Sequence, residues 1–350
     1  MSEFRASFER NRYRTLGEMH KIRRDQTSMI NSNLLTVRDL KKYFDTRAGF
    51  LKKPAPVHAV DGVNLNVGQK DVLGLVGESG CGKSTLGRSI LRLIEPTSGE
   101  IIFDGEDMMK VDNRRLRALR RKMQIIFQDP FSSLNPRKRV IDTVGEPFII
   151  YGMAKGKALK ERVVSILEKV GLSSDSLYRY PHEFSGGQRQ RIGIARALAV
   201  EPVFIVADEP LSALDVSIQA QIINLLQELQ TSLGISFLFI SHDLKVVRHF
   251  SERVTVMYLG IIVETGKTED IFTNPQHPYT EALLTAIPMP DPSTKRKKII
   301  LAGDVPNPAQ IPPGCRFHPR CPKRIEPCDK IRPKTTDLGG GHSVECHLRG

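Results

Sequence analysis

The residues whose types and spacing point most clearly to chemistry form a glycine-rich stretch with one lysine and three hydroxyl side chains. Its sequence, GESGCGKST, fits the phosphate-binding pattern G-x-x-x-x-G-K-[ST] and follows a short apolar run. Glycines let backbone N–H groups turn towards a phosphate, and the start of a helix adds partial positive charge. We expect Lys83 to contact the β- and γ-phosphates of ATP and the Ser84 hydroxyl to bind Mg²⁺. The whole loop consists of Gly77, Glu78, Ser79, Gly80, Cys81, Gly82, Lys83, Ser84 and Thr85.

An acidic pair follows a second apolar run further along the chain. Residues 203–207 are all apolar, and Asp208 and Glu209 come directly after them. An aspartate at the end of a strand can hold Mg²⁺ in a phosphate-binding ATPase. We therefore predict that Asp208 supports the metal and that Glu209 polarises the attacking water.

A second candidate phosphate clamp lies at residues 184–190, FSGGQRQ, before a predicted helix. It offers a hydroxyl and free backbone amides at a helix N-terminus. An ordinary serine-capped helix is the alternative. Because the chain already contains one clamp, we predict that two subunits meet head to tail and enclose each nucleotide between them. The residues of this second clamp are Ser185, Gly186, Gly187 and Gln188.

The segments that must position these residues alternate between strand and helix patterns. Residues 72–76 form a buried-type strand before a helix at 84–93, and 237–240 is a strand that follows a helix at 217–229. Strands that alternate with helices predict an α/β structure with a parallel sheet. Residues from about 132 to 200 are rich in helix formers, which predicts a helical subdomain.

Composition limits the classes of protein to which the chain can belong. Of its 350 residues, 40% are hydrophobic and 26% charged, which is typical of a globular protein. No apolar run approaches the roughly 18 residues of a membrane span, and the polar start, MSEFRASFER, lacks a secretory apolar region. The net charge of +13 is spread along the chain, without the interleaved aromatic residues of a nucleic-acid stacking surface. We therefore expect a protein that neither spans the membrane nor stacks on nucleic acid.

In their order along the chain, these motifs resemble those of an ATP-binding cassette (ABC) ATPase over roughly residues 33–270. FSGGQ is similar to the LSGGQ signature, with Phe184 where leucine is most common. The resemblance implies three further site residues. They are Gln128 in the Q-loop, which would contact Mg²⁺ and sense the γ-phosphate, Asp215 in the D-loop motif SALD, and His242 as the switch histidine that contacts the γ-phosphate. It also implies a RecA-like core with an antiparallel β-subdomain and a helical subdomain.

By the same resemblance, an aromatic residue before the phosphate loop should stack on adenine. Tyr43 and Phe44 both lie at the usual place. A loop expected at residues 46–58 obscures the register, so the choice between the two remains open.

Longer stretches resemble the peptide and nickel importers within this family. They are GESGCGKSTLGRSILRLIEPTSGEI, QDPFSSLNPR, DEPLSALDVSIQAQI and NPQHPYTEALL, and the chain is similar to the F-type ATPase subunit of dipeptide and oligopeptide permeases. This resemblance implies that the chain powers the import of short peptides, or of related substrates such as nickel complexes. It also implies that the chain is located at the cytoplasmic face of the cell membrane.

The same resemblance implies a set of partners. The chain would pair peripherally with a second ATPase subunit of D type beneath two transmembrane permease subunits, which a substrate-binding protein supplies. The alternative is an ABC ATPase that acts on nucleic acid or the ribosome. Such proteins carry coiled-coil insertions or two cassettes, and this sequence contains neither.

The chain divides by composition into three parts. We predict a basic N-terminal extension at residues 1–32, an ABC nucleotide-binding domain at 33–271 and a C-terminal oligopeptide-transporter-type domain at 272–350. The last part is rich in proline at its start and contains four of the five cysteines, namely Cys315, Cys321, Cys328 and Cys346.

The four late cysteines suggest a metal site. Cytosolic thiols are normally reduced, and a tail with little core of its own gains stability from a metal. The spacing of these cysteines is wider than in a typical zinc site, whereas four-cysteine ligation of iron–sulfur clusters tolerates varied spacing. The resemblance to F-type subunits favours a [4Fe–4S] cluster, and zinc or unligated thiols are the alternatives.

Overall fold

The computed structural model describes residues 33–45, 56–287, 299, 301 and 303–350. The predicted extension at residues 1–32 and most of the predicted loop at 46–58 lie outside the described residues. Within the described part, every helix falls short of the combined length and apolarity that crossing a bilayer requires.

The strands form two sheets. An antiparallel sheet has the order β2-β1-β4-β5, and a larger sheet has the order β11-β12-β10-β9-β3-β8-β7-β6. In chain order the strands are β1 Asn33–Phe44, β2 Val57–Gly68, β3 Val72–Val76, β4 Ser98–Phe103, β5 Glu106–Asp107, β6 Met123–Ile126, β7 Phe204–Asp208, β8 Ser236–Ile240, β9 Arg253–Tyr258, β10 Ile261–Lys267, β11 Thr335–Asp337 and β12 Ser343–Glu345.

The helices lie between the strands along the chain. They are α1 Lys83–Ile90, α2 Asn113–Lys122, α3 Pro130–Ser133, α4 Val140–Ile150, α5 Gly156–Lys169, α6 Gly186–Leu198, α7 Val216–Leu233, α8 Leu244–Phe250, α9 Thr268–Thr273 and α10 Pro278–Thr285. Short 3₁₀ turns occur at Ser174–Tyr178, Pro181–Glu183 and His318–Arg320.

The centre of the larger sheet is parallel, which confirms the predicted α/β class. Strands β6, β7, β8, β3 and β9 pair in parallel, each with its neighbour. Strands β3, β7 and β8 are buried along their whole length, as expected when helices cover both faces of a sheet. Their carboxyl ends therefore share one edge of the sheet.

Helix α8 lies very close to the sheet because β3 contains a glycine. A Cβ atom at Gly74 would lie 2.7 Å from both Val247 Cγ1 and Ser251 Oγ, which is too close for any side chain. Phe250 at the end of the same helix packs edge-on against two phenylalanines of β8, with ring centroids 5.5 and 4.9 Å apart. This packing fixes the sheet beneath the phosphate loop.

The predicted elements occur close to their predicted positions. The strand expected at 203–207 is Phe204–Asp208, because Asp208 still pairs in the sheet, opposite Ile240. The helix expected at 84–93 begins at Lys83 and ends at Ile90, and the one expected at 217–229 runs from Val216 to Leu233. Residues 132–200, all described, contain helices and turns but no strand.

The C-terminal segment adds strands to the core sheet. Strand β12 pairs with β10, with Glu264 opposite Val344, and β11 pairs with β12. Tyr258 of β9 also packs edge-on against Tyr279 and Phe317, with centroids 4.7 and 5.2 Å apart. The prediction of a small, separate C-terminal domain is not confirmed, because this segment shares both the sheet and the core of the cassette.

One buried carboxylate fastens this segment to the sheet. Glu264 accepts hydrogen bonds from the backbone N–H groups of Gln276 and His277, at 2.7 and 2.9 Å, and His342 Nε2 lies 2.8 Å from the same carboxylate. His277 caps α10 by accepting the Tyr279 N–H at 3.1 Å. Complete burial lowers the pKa of His277 to about 3, because the charged ring would lose its hydration.

Replacing His277 by asparagine, which retains a capping acceptor, should weaken the acid sensitivity of the fold. The pKa of His277 is about 3 when folded and 6.5 in the reference state, so the unfolded chain takes up this proton first as the pH falls. The contribution of neutral His277 to the free energy of unfolding is therefore fully present above pH 6.5. Below pH 6.5 it falls by roughly 1.4 kcal/mol per pH unit. Between pH 7 and 5, the free energy of unfolding in urea should fall about 2 kcal/mol less for His277→Asn than for the unaltered chain.

The exposed His182 supplies the matched control for this measurement. His182→Asn should retain the pH dependence of the unaltered chain. An unchanged pH dependence in His277→Asn would show that protonation of this ring does not contribute to acid unfolding.

Candidate functional site

The glycine-rich loop joins the end of β3 to the start of α1, as the motif requires. Gly82 precedes α1 with a φ of 108°, in the region that favours glycine. A Cβ atom at Gly82 would lie 2.0 Å from the carbonyl oxygen of Ala59, and one at Gly77 would lie 2.2 Å from that of Met257. Only glycine fits at either position, so the backbone can form a turn around a phosphate group.

Lys83 is folded back over this loop. Its Nζ donates hydrogen bonds to the carbonyl oxygens of Gly77 and Glu78, at 2.8 and 3.0 Å, and lies 3.9 Å from Glu209 Oε1. The side chain is only 4% exposed. A buried ammonium group in the loop supplies the cation that phosphate binding requires.

Two of the three residues predicted to bind Mg²⁺, Ser84 and Asp208, are in direct contact. The Ser84 hydroxyl donates to Asp208 Oδ1 at 2.6 Å, and Arg88 Nη2 donates to Asp208 Oδ2 at 3.2 Å. A carboxylate and a hydroxyl at this distance fit the chemistry of a magnesium site, because Mg²⁺ prefers oxygen ligands. Arg88 was missed from the sequence, although it lies one helical turn after Ser84 and so faces the same way.

The predicted catalytic residues meet at one carboxylate. Gln128 Nε2 donates to Glu209 Oε2 at 3.0 Å, and His242 Nδ1 lies 3.3 Å from the same oxygen. Gln128 follows β6, Glu209 follows β7 and His242 follows β8. Glu209 itself has a φ of 45°, which turns its side chain out of the strand direction at the edge of the sheet.

A cavity of about 210 Å³ adjoins this group. From the predicted site it is lined by Ser79, Gly80, Cys81, Gly82, Lys83, Ser84, Thr85, Gln128 and Glu209. Gly77, Glu78, Asp208 and His242 do not line the cavity, but they contact its lining through hydrogen bonds to Lys83, Ser84 and Glu209. The opposite wall includes His58 and Pro308, neither of which the motifs indicated.

Neither candidate for the adenine-stacking residue lines this cavity. The Tyr43 hydroxyl donates to the Asp61 carboxylate, and its ring lies over His58 with centroids 4.1 Å apart. Burial and the neighbouring carboxylate raise the pKa of Tyr43 to about 12. Phe44 is 39% exposed, with Lys42 Nζ 4.8 Å from its ring centroid. The choice between Tyr43 and Phe44 stays a prediction.

The second clamp begins helix α6, away from the lining of the cavity. The Ser185 hydroxyl accepts the Gln188 N–H at 3.4 Å, and the Gln188 side chain accepts the Ser185 N–H at 3.0 Å. A Cβ atom at Gly187 would lie 2.5 Å from Ile218 Cγ2, so this glycine allows α6 and α7 to approach closely. Asp215, at the start of α7, is exposed.

The four late cysteines do not support the predicted cluster. Burial, and to a lesser degree the neighbouring thiols, raise the pKa of Cys315 to about 11, and both raise the pKa values of Cys321 and Cys346. The thiols thus lie in one region of the fold. Holding a metal requires, in addition, that the sulfur atoms point towards a common centre. Within the described residues, no group of three or more histidine, cysteine or acidic side chains is arranged to hold a metal ion. The placement of these thiols therefore does not support a [4Fe–4S] cluster.

Comparison with known proteins identifies the family of the chain. A family model described as "ABC transporter" matches residues 60–212, and one described as "Oligopeptide/dipeptide transporter, C-terminal region" matches residues 263–328. A putative peptide import ATP-binding protein of Brucella ovis is 52% identical over 91% of this chain and 98% of its own length. The oligopeptide transport ATP-binding protein AppF of Bacillus subtilis is 50% identical over 92% of this chain and 99% of its own length.

Solved structures agree with this assignment. A dimeric post-hydrolysis state of the ATP-binding cassette MJ0796 bound to ADP and Pi superposes with a TM-score of 0.60, at 30% identity, over 67% of this chain and 98% of that one. The structure of cbiO1 from Clostridium perfringens superposes with a TM-score of 0.59, at 29% identity, over 69% of this chain and 92% of that one. The chain therefore belongs to the ABC transporter family, contains the oligopeptide/dipeptide transporter C-terminal region, and is an ATP-binding, ATP-hydrolysing subunit.

Proposed function

We propose that the chain powers the import of dipeptides or oligopeptides through an ABC transporter, by hydrolysing ATP in a head-to-tail pair of ATPase subunits. The observation that carries this proposal is the identity of about 50% to peptide-import ATP-binding proteins along nearly the whole chain, the C-terminal region included. An ABC cassette alone would support ATP hydrolysis without indicating a cargo.

The phosphate side of the site holds the nucleotide and its metal. Lys83 exchanges its two loop carbonyls for β- and γ-phosphate oxygens, and the loop amides between Ser79 and Thr85 bind the remaining oxygens. Ser84 and Asp208 would hold Mg²⁺, which supplies positive charge against the phosphates when bound, and Gln128 would contact the same metal. Charge-assisted contacts of this kind are stronger than the neutral ones that they replace.

The hydrolytic step uses the Glu209 carboxylate. It accepts a hydrogen bond from the water that attacks the γ-phosphate, and thereby orients the water and increases its nucleophilicity. Gln128 and His242, both within hydrogen-bond distance of this carboxylate, fix its orientation. His242 is also placed to donate to the γ-phosphate.

The second clamp completes the site of a neighbouring subunit. Ser185, Gly186, Gly187 and Gln188 would contact the γ-phosphate bound by the partner, and the exposed Asp215 would lie at the same interface. By family resemblance the partner is a D-type ATPase subunit, and both chains work beneath two permease subunits at the cytoplasmic face of the cell membrane. A substrate-binding protein delivers the peptide.

The three-part organisation also belongs to this proposal. Residues 33–271 act as the nucleotide-binding domain, with residues of about 132–200 as a helical subdomain that contacts the permeases. Residues 272–350 act as the transporter-specific region, which packs on the cassette. A [4Fe–4S] cluster has no role in the proposed cycle, and iron and sulfide analysis of anaerobically purified protein tests whether the thiols hold one.

Glu209→Gln is expected to bind ATP and to hydrolyse it about 1,000-fold more slowly, because the amide cannot accept the proton of the attacking water. The variant should also trap the ATP-bound subunit pair, visible as a stable larger species in size-exclusion chromatography. The measurement is ATP turnover by the complex with its partner subunits. Near-normal turnover would assign the base role to another residue.

ATP-dependent uptake of a labelled dipeptide into proteoliposomes tests the function as a whole. The complex containing the unaltered chain should transport, and Ser185→Ala should lower turnover and uptake together by about 100-fold through the loss of a transition-state donor. Ser173→Ala is the matched control, because Ser173 also caps a turn in the helical region but belongs to no clamp. Equal activity of both variants would contradict the two-subunit site, and ATPase activity that responds to nucleic acid but not to peptide would contradict import.

A further inference from the structure

Glu78 is the point at which the C-terminal segment contacts the phosphate loop. Its backbone N–H donates to the Tyr279 hydroxyl at 2.8 Å, and its carboxylate accepts two hydrogen bonds from Arg320, at 2.7 and 3.2 Å. Its carbonyl oxygen accepts the Lys83 ammonium at 3.0 Å. The C-terminal segment therefore binds the N–H group and the carboxylate of Glu78. The carbonyl oxygen of the same residue binds Lys83, the lysine predicted to contact phosphate.

These contacts are buried and rigid. The Arg320 side chain is 8% exposed and that of Glu78 is 26% exposed. The two-pronged hydrogen bond to Glu78 raises the pKa of Arg320 further above its usual value, although burial opposes this. Tyr279 is completely buried and packs against Tyr258 and Phe317, so its hydroxyl has little freedom to move. Charged hydrogen bonds shielded from water in this way are stronger than exposed ones.

A second arginine, four residues earlier in the chain, contacts another part of the cavity lining. Arg316 donates to the carbonyl oxygen of Leu259 and to the Asp61 carboxylate. The next residue after Leu259, Gly260, lines the cavity and donates its N–H to the Cys81 carbonyl oxygen of the phosphate loop at 2.9 Å. The C-terminal segment thus contacts the loop directly through Arg320 and indirectly through Arg316.

We propose that Arg320, assisted by Tyr279, is a positioning residue that sets the conformation of the phosphate loop through Glu78. Because the Glu78 carbonyl also holds Lys83, the placement of Glu78 determines where the lysine and the loop amides meet a phosphate. The inference rests on nucleotide binding by the loop and is independent of the cargo of the transporter.

A purely structural role for Arg320 makes a different prediction. If the arginine only fastened the C-terminal segment to the cassette, its loss would lower thermal stability without changing nucleotide affinity. A positioning role instead lowers the fraction of chains whose loop is ready to bind, and the apparent Kd rises by the same factor. The two roles are distinguished by the affinity for a nucleotide that contacts the loop.

The experiment measures ADP binding to the full chain by titration calorimetry, together with the melting temperature. Arg320→Gln should raise the Kd for ADP about tenfold, as expected when the competent fraction falls to about a tenth. Arg320→Lys, which keeps the charge but loses the two-pronged contact, should have an intermediate Kd. The matched control is Arg324→Gln, because Arg324 pairs at 2.8 Å with Asp329 on the surface of the same segment, and its Kd should be unchanged.

A double-mutant cycle tests whether the effect passes through Glu78. Glu78→Gln should raise the Kd for ADP by a similar factor. In a chain that already carries Glu78→Gln, the further change Arg320→Gln should raise this Kd little. Independent, multiplying effects would overturn the proposal, as would an unchanged Kd in Arg320→Gln. Should Arg320→Gln fail to fold, Tyr279→Phe removes only one hydroxyl and should still raise the Kd; an unchanged Kd there would be equally decisive. Failure of the unaltered chain to bind ADP would contradict the nucleotide site itself.

Discussion

The arrangement of the site depends on the common direction of strands β6, β7, β8 and β3. Because parallel strands end at the same edge of a sheet, the short segments that follow them bring their polar side chains together. Gln128 and His242 therefore reach the same carboxylate oxygen of Glu209, although 81 and 33 residues separate them from it in the chain. An antiparallel strand at any of these positions would place one of the groups at the opposite edge.

The cations of the site are already paired within the protein. Lys83 donates to loop carbonyls and Arg88 donates to Asp208. In the proposed site, phosphate oxygens would replace the loop carbonyls as partners of Lys83, and Asp208 would give up Arg88 when it holds the metal. Nucleotide binding is thus an exchange of partners, which avoids leaving a buried charge unpaired before the ligand arrives.

Sequence patterns predicted the local parts of this structure well and the long-range contacts poorly. The loop, the acidic pair and the individual strands follow from spacing and periodicity, because each depends on neighbouring residues. The parallel pairing follows only from the alternation of these strands with helices along the chain. The contacts of Glu78 with Tyr279 and Arg320 span 201 and 242 residues and follow no repeat, so nothing in the sequence indicates them. The separate C-terminal domain was predicted from a change in composition, whereas strand pairing decides such a question. The [4Fe–4S] cluster was predicted chiefly from the family resemblance, and the described residues do not support it. Tyr43 and Phe44 both lie at the family position, and the pairing of the Tyr43 hydroxyl with Asp61 is a further contact that the motifs did not indicate.

During synthesis, strand β10 is made well before β12, the strand that pairs with its outer edge. Glu264 in β10 pairs with His342, which is translated 78 residues later, just before β12. At about 5–20 residues per second, this edge of the sheet remains uncovered on the ribosome for on the order of 4–16 s. Uncovered strand edges readily pair with other chains, so the edge of β10 is open to such pairing until β12 has been made.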